Sequence, residues 1–116
     1  MKPLTSTAAL YARVSVVGTT REQVIGRQLR DLRARARGDG AAAASELTFV
    51  DDGLSSSPLA RSALEQLRAA AAAGAFQRLY VHGPDRLARD LVHQGLLVDE
   101  LHRAGVEVVF LGRAAS

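Results

Sequence analysis

A-A-L-Y-A-R-V-S, Ala8 to Ser15, is an apolar stretch that ends in polar side chains. Its alternation is that of a β-strand over Leu10–Ser15, with Leu10, Ala12 and Val14 on one face and Arg13 and Ser15 on the other. Residues two apart on a strand share a face at a spacing of about 6.6 Å. Arg13 and Ser15 therefore point the same way, just where the strand should stop. A charge on a central strand is costly unless compensated, so Arg13 must snorkel, pair with an acid or meet an anionic ligand. Outward from this stretch, three more segments read as strands: Leu47–Asp51, Arg78–His82 and Val106–Leu111. The last, V-E-V-V-F-L, is β-branched and apolar, as a strand buried on both faces should be. Helical periodicity fills the gaps. Arg21–Arg37 carries Val24, Leu29 and Leu32 under an arginine-rich outer face and is stopped by G-D-G. Leu59–Ala73 carries Leu64 and Leu67, with Gly74 placed to cap its C-terminus. Asp85–Ala104 carries Leu87, Leu91, Leu97 and Leu101, and Gly105 ends it. The alanine run Ala41–Ser45 is expected to be linker. Helix-length connections between strands require crossovers. The fold class is thus α/β: three layers, a mainly parallel sheet of four to five strands, and helices on both faces.

The 116 residues suit one domain with one core. Hydrophobic residues make up 47%, yet only five are aromatic, so the core is expected to be Ala, Leu and Val in close packing. The basic residues are fourteen Arg and one Lys, and the guanidinium fork matches phosphate oxygens. There is no Cys, which excludes disulfides and thiolate metal sites, and the three His have no ligand spacing. The N-terminal apolar run is too short for a signal peptide and no stretch is long enough to span a bilayer. A soluble cytoplasmic protein without a membrane partner is expected.

Ligands of open parallel sheets bind beyond the carboxyl ends of the strands. Arg13 and Ser15, then Asp51 and Asp52, then H-G-P-D-R-L-A-R all fall at that edge. Asp85 is an expected N-cap, with Arg86 and Arg89 in the first turn, where the helix dipole disfavours cations. Two arginines there make sense if free N–H groups and guanidinium forks bind a phosphate together. D-D-G-L-S-S-S-P-L-A-R reads as a polar loop in which Ser57 caps the next helix and Arg61 again opposes a dipole. His82, beside the Asp85 loop, is the one histidine placed to touch the site.

Taken together, these motifs resemble the catalytic domain of the serine recombinases, the resolvase and invertase family. The matching residues are Y-A-R-V-S (Tyr11–Ser15), Gln23 and Gln28, D-D-G-L-S (Asp51–Ser55) followed by Arg61, and D-R-L-A-R (Asp85–Arg89). They keep the family's order across almost the whole chain. The resemblance implies that Ser15 attacks a DNA phosphodiester, forms a 5′-phosphoserine link and releases a 3′-hydroxyl, with strand exchange and rejoining to follow. It implies no cofactor, neither metal nor nucleotide, and as partners DNA and further copies of the chain, a dimer and then a tetramer. Charge then building on the phosphate must be met by fixed cations, here Arg13, Arg61, Arg86 and Arg89. Asp85 orients an arginine or serves the leaving oxygen as acid. Gln23, Gln28, Ser55 and one of Asp51 and Asp52 support the site.

The chain departs from the family at Ser56, Ala60 and Ser62, and its segment between Ser15 and Gln23 is longer than in the small resolvases. Residues 1–116 are expected to be a catalytic domain taken from a longer protein with a dimerisation helix and a DNA-binding domain, and to be inactive alone. Two other readings compete. One is a non-catalytic doubly wound module that binds a phosphate or a partner, although V-S-V-V-G-T-T is no P-loop. The other is a degenerate family member that serves only in assembly.

Overall fold

The computed structural model describes residues 7–13, 21–51, 62–88 and 90–112. Its elements alternate as the sequence implies: β1 (Thr7–Arg13), α1 (Arg21–Gly38), β2 (Ala42–Asp51), α2 (Ser62–Ala72), β3 (Arg78–Val81), α3 (Leu91–Arg103) and β4 (Glu107–Phe110). The four described strands pair in the order β2-β1-β3-β4, every pair parallel. Parallel neighbours need a crossover, and a helix supplies each one.

Side-chain alternation on β1 builds two cores. Ala8 and Leu10 face Leu32 and Ala36 of α1 together with Tyr80. Ala9 and Tyr11 face the opposite layer, which holds Leu64 and Leu67 of α2 and Leu101 of α3. The three-layer expectation is met, with α1 on one side and α2 and α3 on the other. Alanine matters here because Ala8, Ala9 and Ala12 on the central strand are fully buried and let the helices come close. The expectation of an Ala, Leu and Val core holds for most buried positions but not for the largest side chains. Tyr11, Tyr80 and Phe76 are the largest fully buried side chains. They are few, but burial removes more apolar area for an aromatic than for any other residue.

The helix ends follow local rules. Gly74 has φ +78° and Gly105 has φ +87°, the left-handed conformation that favours glycine. Ala75 N–H donates to Ala70 O at 3.0 Å and Val106 N–H to Leu101 O at 2.9 Å, the bonds that close a glycine-capped helix. Ala41 N–H closes α1 the same way, on Ala36 O at 2.9 Å.

Four features depart from the sequence reading. β1 starts earlier, at Thr7. Ala42 and Ala43 are strand rather than linker, pairing with Thr7 and Ala8. The next pair is Leu10 with Thr48, so two steps along β1 match five along β2. That wide irregularity hides the early part of β2 from a period-two pattern. β4 is an edge strand and only half buried, because β3 is its one neighbour among the described residues. Leu91 was expected inward, but it is 83% exposed, and Val92 and Leu96 beside it are exposed as well. No helix among the described residues is long and apolar enough to cross a membrane.

Candidate functional site

The frame of the site follows from strand order. β1 is followed by α1 on one face of the sheet, and its neighbour β3 by α3 on the other. The two connections lead to opposite faces, so they part at the carboxyl ends of β1 and β3. That is the switch point at which open α/β sheets bind ligands. Arg13 closes β1, and the segment Gly83–Ala88 follows β3.

Arg13 ties these pieces together. Its Nη2 donates to the carbonyl oxygen of Asp85 at 2.8 Å. Its backbone N–H donates to Oε1 of Gln28 at 3.2 Å. Gln28 sits on the inner side of α1 and is buried, so this contact fixes the helix against the end of the strand. Arg13 also stands opposite Asp51 in the β1–β2 ladder. One arginine thus links the ends of three elements, and the sequence expectation that it needs a partner is met partly by a backbone carbonyl.

Asp51 is 4% exposed and fully engaged. It accepts from Tyr11 Oη at 2.7 Å, Ala63 N–H at 3.0 Å and Leu64 N–H at 3.1 Å. The two N–H groups belong to the first turn of α2, which has no acceptors of its own there. Asp51 therefore caps α2 from a distant strand, the work a local N-cap side chain does elsewhere. A buried carboxylate persists only when its oxygens are filled, and three donors fill them. The sequence left Asp51 and Asp52 equivalent; the geometry gives Asp51 an architectural task.

The D-R-L-A-R segment is not the start of a helix. Pro84–Arg86 form a 3-10 turn, and α3 begins only at Leu91. Its N-cap is Asp90, whose Oδ1 accepts from His93 N–H at 2.8 Å. The backbone N–H and the ring of His93 together hold the Asp90 carboxyl below its usual value. Arg86 thus lies outside the first turn of α3 and does not oppose its dipole. The turn is held instead by the burial of Leu87 and Ala88 and by Gln94, whose Nε2 donates to Ala88 O at 3.0 Å. The Asp85 carboxylate is exposed, with Oδ2 3.6 Å from Arg86 Nη1. A Cβ at Gly83 would lie 2.9 Å from Asp85 Oδ1, so a larger residue there would displace that carboxylate.

Arg13, Gln28, Asp51, Asp85 and Arg86 therefore lie around the carboxyl ends of β1, β2 and β3. Gln23 does not join them. Five residues of helix is about 1.4 turns, so Gln23 is exposed while Gln28 points inward. His82 pairs toward α1, its Nε2 3.8 Å from Asp31 Oδ2, rather than toward the Asp85 turn. Ser15, Asp52, Ser55, Ser57, Arg61 and Arg89 lie outside the described residues. Among the described residues no three His, Asp or Glu side chains form a group that could hold a metal ion. Sequence reasoning missed the hydroxyl of Tyr11 and the amide of Gln94. Tyr11 carried one signal, a polar tip on an otherwise apolar strand; Gln94 carried none.

Residues 8–115 match the family described as "Resolvase, N terminal domain". A Bacillus subtilis (strain 168) protein named "Putative DNA recombinase" is 34% identical over 103 residues, which is 89% of this chain and 20% of that protein. The chain thus spans about a fifth of the length of this curated relative. The crystal structure of the N-terminal catalytic domain of TP901-1 integrase superposes with a TM-score of 0.77 at 28% identity, covering 90% of this chain and 77% of that one. The C-terminal catalytic domain of ISC1926 TnpA, an IS607-like serine recombinase, shares the fold with a TM-score of 0.75 at 22% identity over 93% of this chain and 71% of that one. Fold, motif order and these matches define a serine recombinase catalytic domain. The chain belongs to the resolvase N-terminal domain family.

Proposed function

We propose that this domain breaks and rejoins DNA strands, with Ser15 as the nucleophile. Ser15 Oγ attacks the phosphorus of a phosphodiester. A bond forms between Oγ and phosphorus as the bond from phosphorus to the 3′ oxygen breaks. The serine proton leaves to a base or to solvent, and the departing 3′ oxygen takes one up. The product is a 5′-phosphoserine link and a free 3′-hydroxyl, and the reverse step rejoins the strands.

One observation carries this reading. Arg13 of Y-A-R-V-S reaches the carbonyl of Asp85 in D-R-L-A-R at 2.8 Å, at the switch point where such sheets bind ligands. Two motifs 72 residues apart thereby meet at one place, and both supply guanidinium groups. Ser15 follows Arg13 by two residues in the sequence. Arg13, Arg61, Arg86 and Arg89 are the cations that offset charge on the phosphate oxygens in flight, with no step assigned to a metal or nucleotide cofactor. The contact between Asp85 Oδ2 and Arg86 Nη1 suits Asp85 to orienting that arginine. Gln28 holds the end of β1 in place through Arg13 N–H, and Asp51 fixes α2 behind it. The domain works inside a longer protein that supplies dimerisation and sequence-specific DNA binding.

A suicide DNA substrate, which is cut but cannot be rejoined, tests this with the full-length protein. A protein–DNA complex that survives denaturant is expected. Specific DNA binding without any covalent complex would instead assign the domain to assembly or to binding alone.

A further inference from the structure

The outward face of α1 has no part in the site described above, yet its charge is arranged. Gly26, Arg30, Arg33, Ala34 and Arg37 line a shallow depression of about 220 Å³. At 3.6 residues per turn, the three arginines fall within about 60° of arc, and Arg30 and Arg37 are about 10.5 Å apart along the axis. Arg30 and Arg37 are exposed and Arg33 is half-buried. None of the three forms an ion pair among the described residues. The acids nearby are turned elsewhere: Asp39 pairs with Arg35, and Asp31 faces His82.

Stability does not explain this pattern. Like charges three and four residues apart oppose a helix by about 0.2–0.5 kcal/mol per pair. The helix dipole favours Arg37 in the last turn but not Arg30 or Arg33 in the middle. Gly26 is equally unrewarded. A Cβ there would meet nothing within 4 Å, so no packing demands glycine in a helix interior that alanine would stabilise. Gly26 and Ala34 leave a low floor between guanidinium forks, the relief that a ligand backbone needs for close approach. The stripe starts two residues past Gln28, which touches Arg13, and runs away from the candidate site.

We propose that this arginine stripe is a second contact for the phosphate backbone of duplex DNA, outside the site that holds the reacting phosphate. This rests on the reading of the domain as acting on DNA. The axial reach from Arg30 to Arg37 is about three base steps at 3.4 Å per step of one strand, so the forks can meet separate phosphates. The contact is electrostatic and independent of base sequence.

The test is duplex binding by the 116-residue chain, followed by fluorescence anisotropy at a series of salt concentrations with DNA of arbitrary sequence. The comparison is the triple variant Arg30→Gln, Arg33→Gln, Arg37→Gln, which keeps good helix formers. Each lost phosphate contact lowers the slope of log K against log salt by about 0.9, so the triple variant is expected to lose about 2–3 units of slope. Its affinity at low salt should fall at least tenfold. A slope unchanged by the triple substitution overturns the proposal, as does tight binding of polyglutamate by a chain that does not bind duplex. Should the triple variant lose its helical circular dichroism, the three single variants replace it, each expected to lower the slope; no change in any of them is again contrary. Adduct formation on the suicide substrate reads the Ser15 chemistry separately. Failure of that chemistry leaves the slope difference standing, and failure of the stripe leaves the adduct.

Discussion

Asp51 and Arg13 face each other across the β1–β2 ladder and do different work. Asp51 spends both oxygens on three donors, so its removal strands Tyr11 Oη and two helix N–H groups. Asp51→Ala is expected to cost at least about 3 kcal/mol, since it removes three hydrogen bonds and those to a charged group are each worth about 1.5–3. Tyr11→Phe removes one of the three donors and should cost about 1–2 kcal/mol. Thermal denaturation of both variants orders them, and a Tyr11→Phe variant less stable than Asp51→Ala would contradict the capping role. Arg13 is different, because its guanidinium is held by a backbone carbonyl that survives its loss. Arg13→Gln should lower the rate of covalent adduct formation by about 10²–10³, while shifting the denaturation midpoint less than Asp51→Ala does. Rate and midpoint falling together in proportion would make Arg13 a structural residue only.

Elements pair charges as well. Arg68 of α2 and Glu100 of α3 form a forked contact, Nε to Oε2 and Nη2 to Oε1 both at 2.8 Å. This hydrogen bonding holds the Glu100 carboxyl below its usual 4.5 and raises Arg68. A carboxyl lowered on folding adds stability above its unfolded value, and that stability fades as pH falls through the folded value. Both side chains are over a third exposed, so solvent screening limits the pair to about 0.2–1 kcal/mol. Glu100→Gln should therefore lower the urea midpoint slightly at neutral pH and by progressively less as the pH is taken down below 4.5; an equal loss at every pH would refute the linkage. Elements were also where the sequence was most readable. Period-two stretches and the glycines after two helices located most of the strands and helices from local rules alone. The break before α3 was not readable. Leu87 and Leu91 keep a helical spacing, Asp85 and Asp90 are both competent caps, and a tertiary contact from Arg13 engages the Asp85 carbonyl. The capping of α2 by Asp51 was hidden for the same reason, because a donor and acceptor 12 residues apart leave no periodic trace. For the site, motif order marked the edge where Arg13, Asp85 and Arg86 meet, while the opposite fates of Gln23 and Gln28 needed the helix to be wound.

At the scale of the whole molecule, net charge is only +3, so DNA binding by the 116 residues should be weak and strongly salt-dependent. These residues alone are expected not to recombine DNA, and efficient site-specific recombination by them would show that no further domain is required. The strand order parts β1 from β3 at their carboxyl ends, and the nucleophile proposed above is Ser15. The most direct measurement is covalent adduct formation on a suicide substrate by the full-length protein, wild type against Ser15→Ala, with the linked residue mapped by mass spectrometry. The wild type should carry a 5′-phosphate on Ser15, and the variant should form no adduct while still binding DNA. An adduct that persists in Ser15→Ala, or maps to another side chain in the wild type, would contradict it.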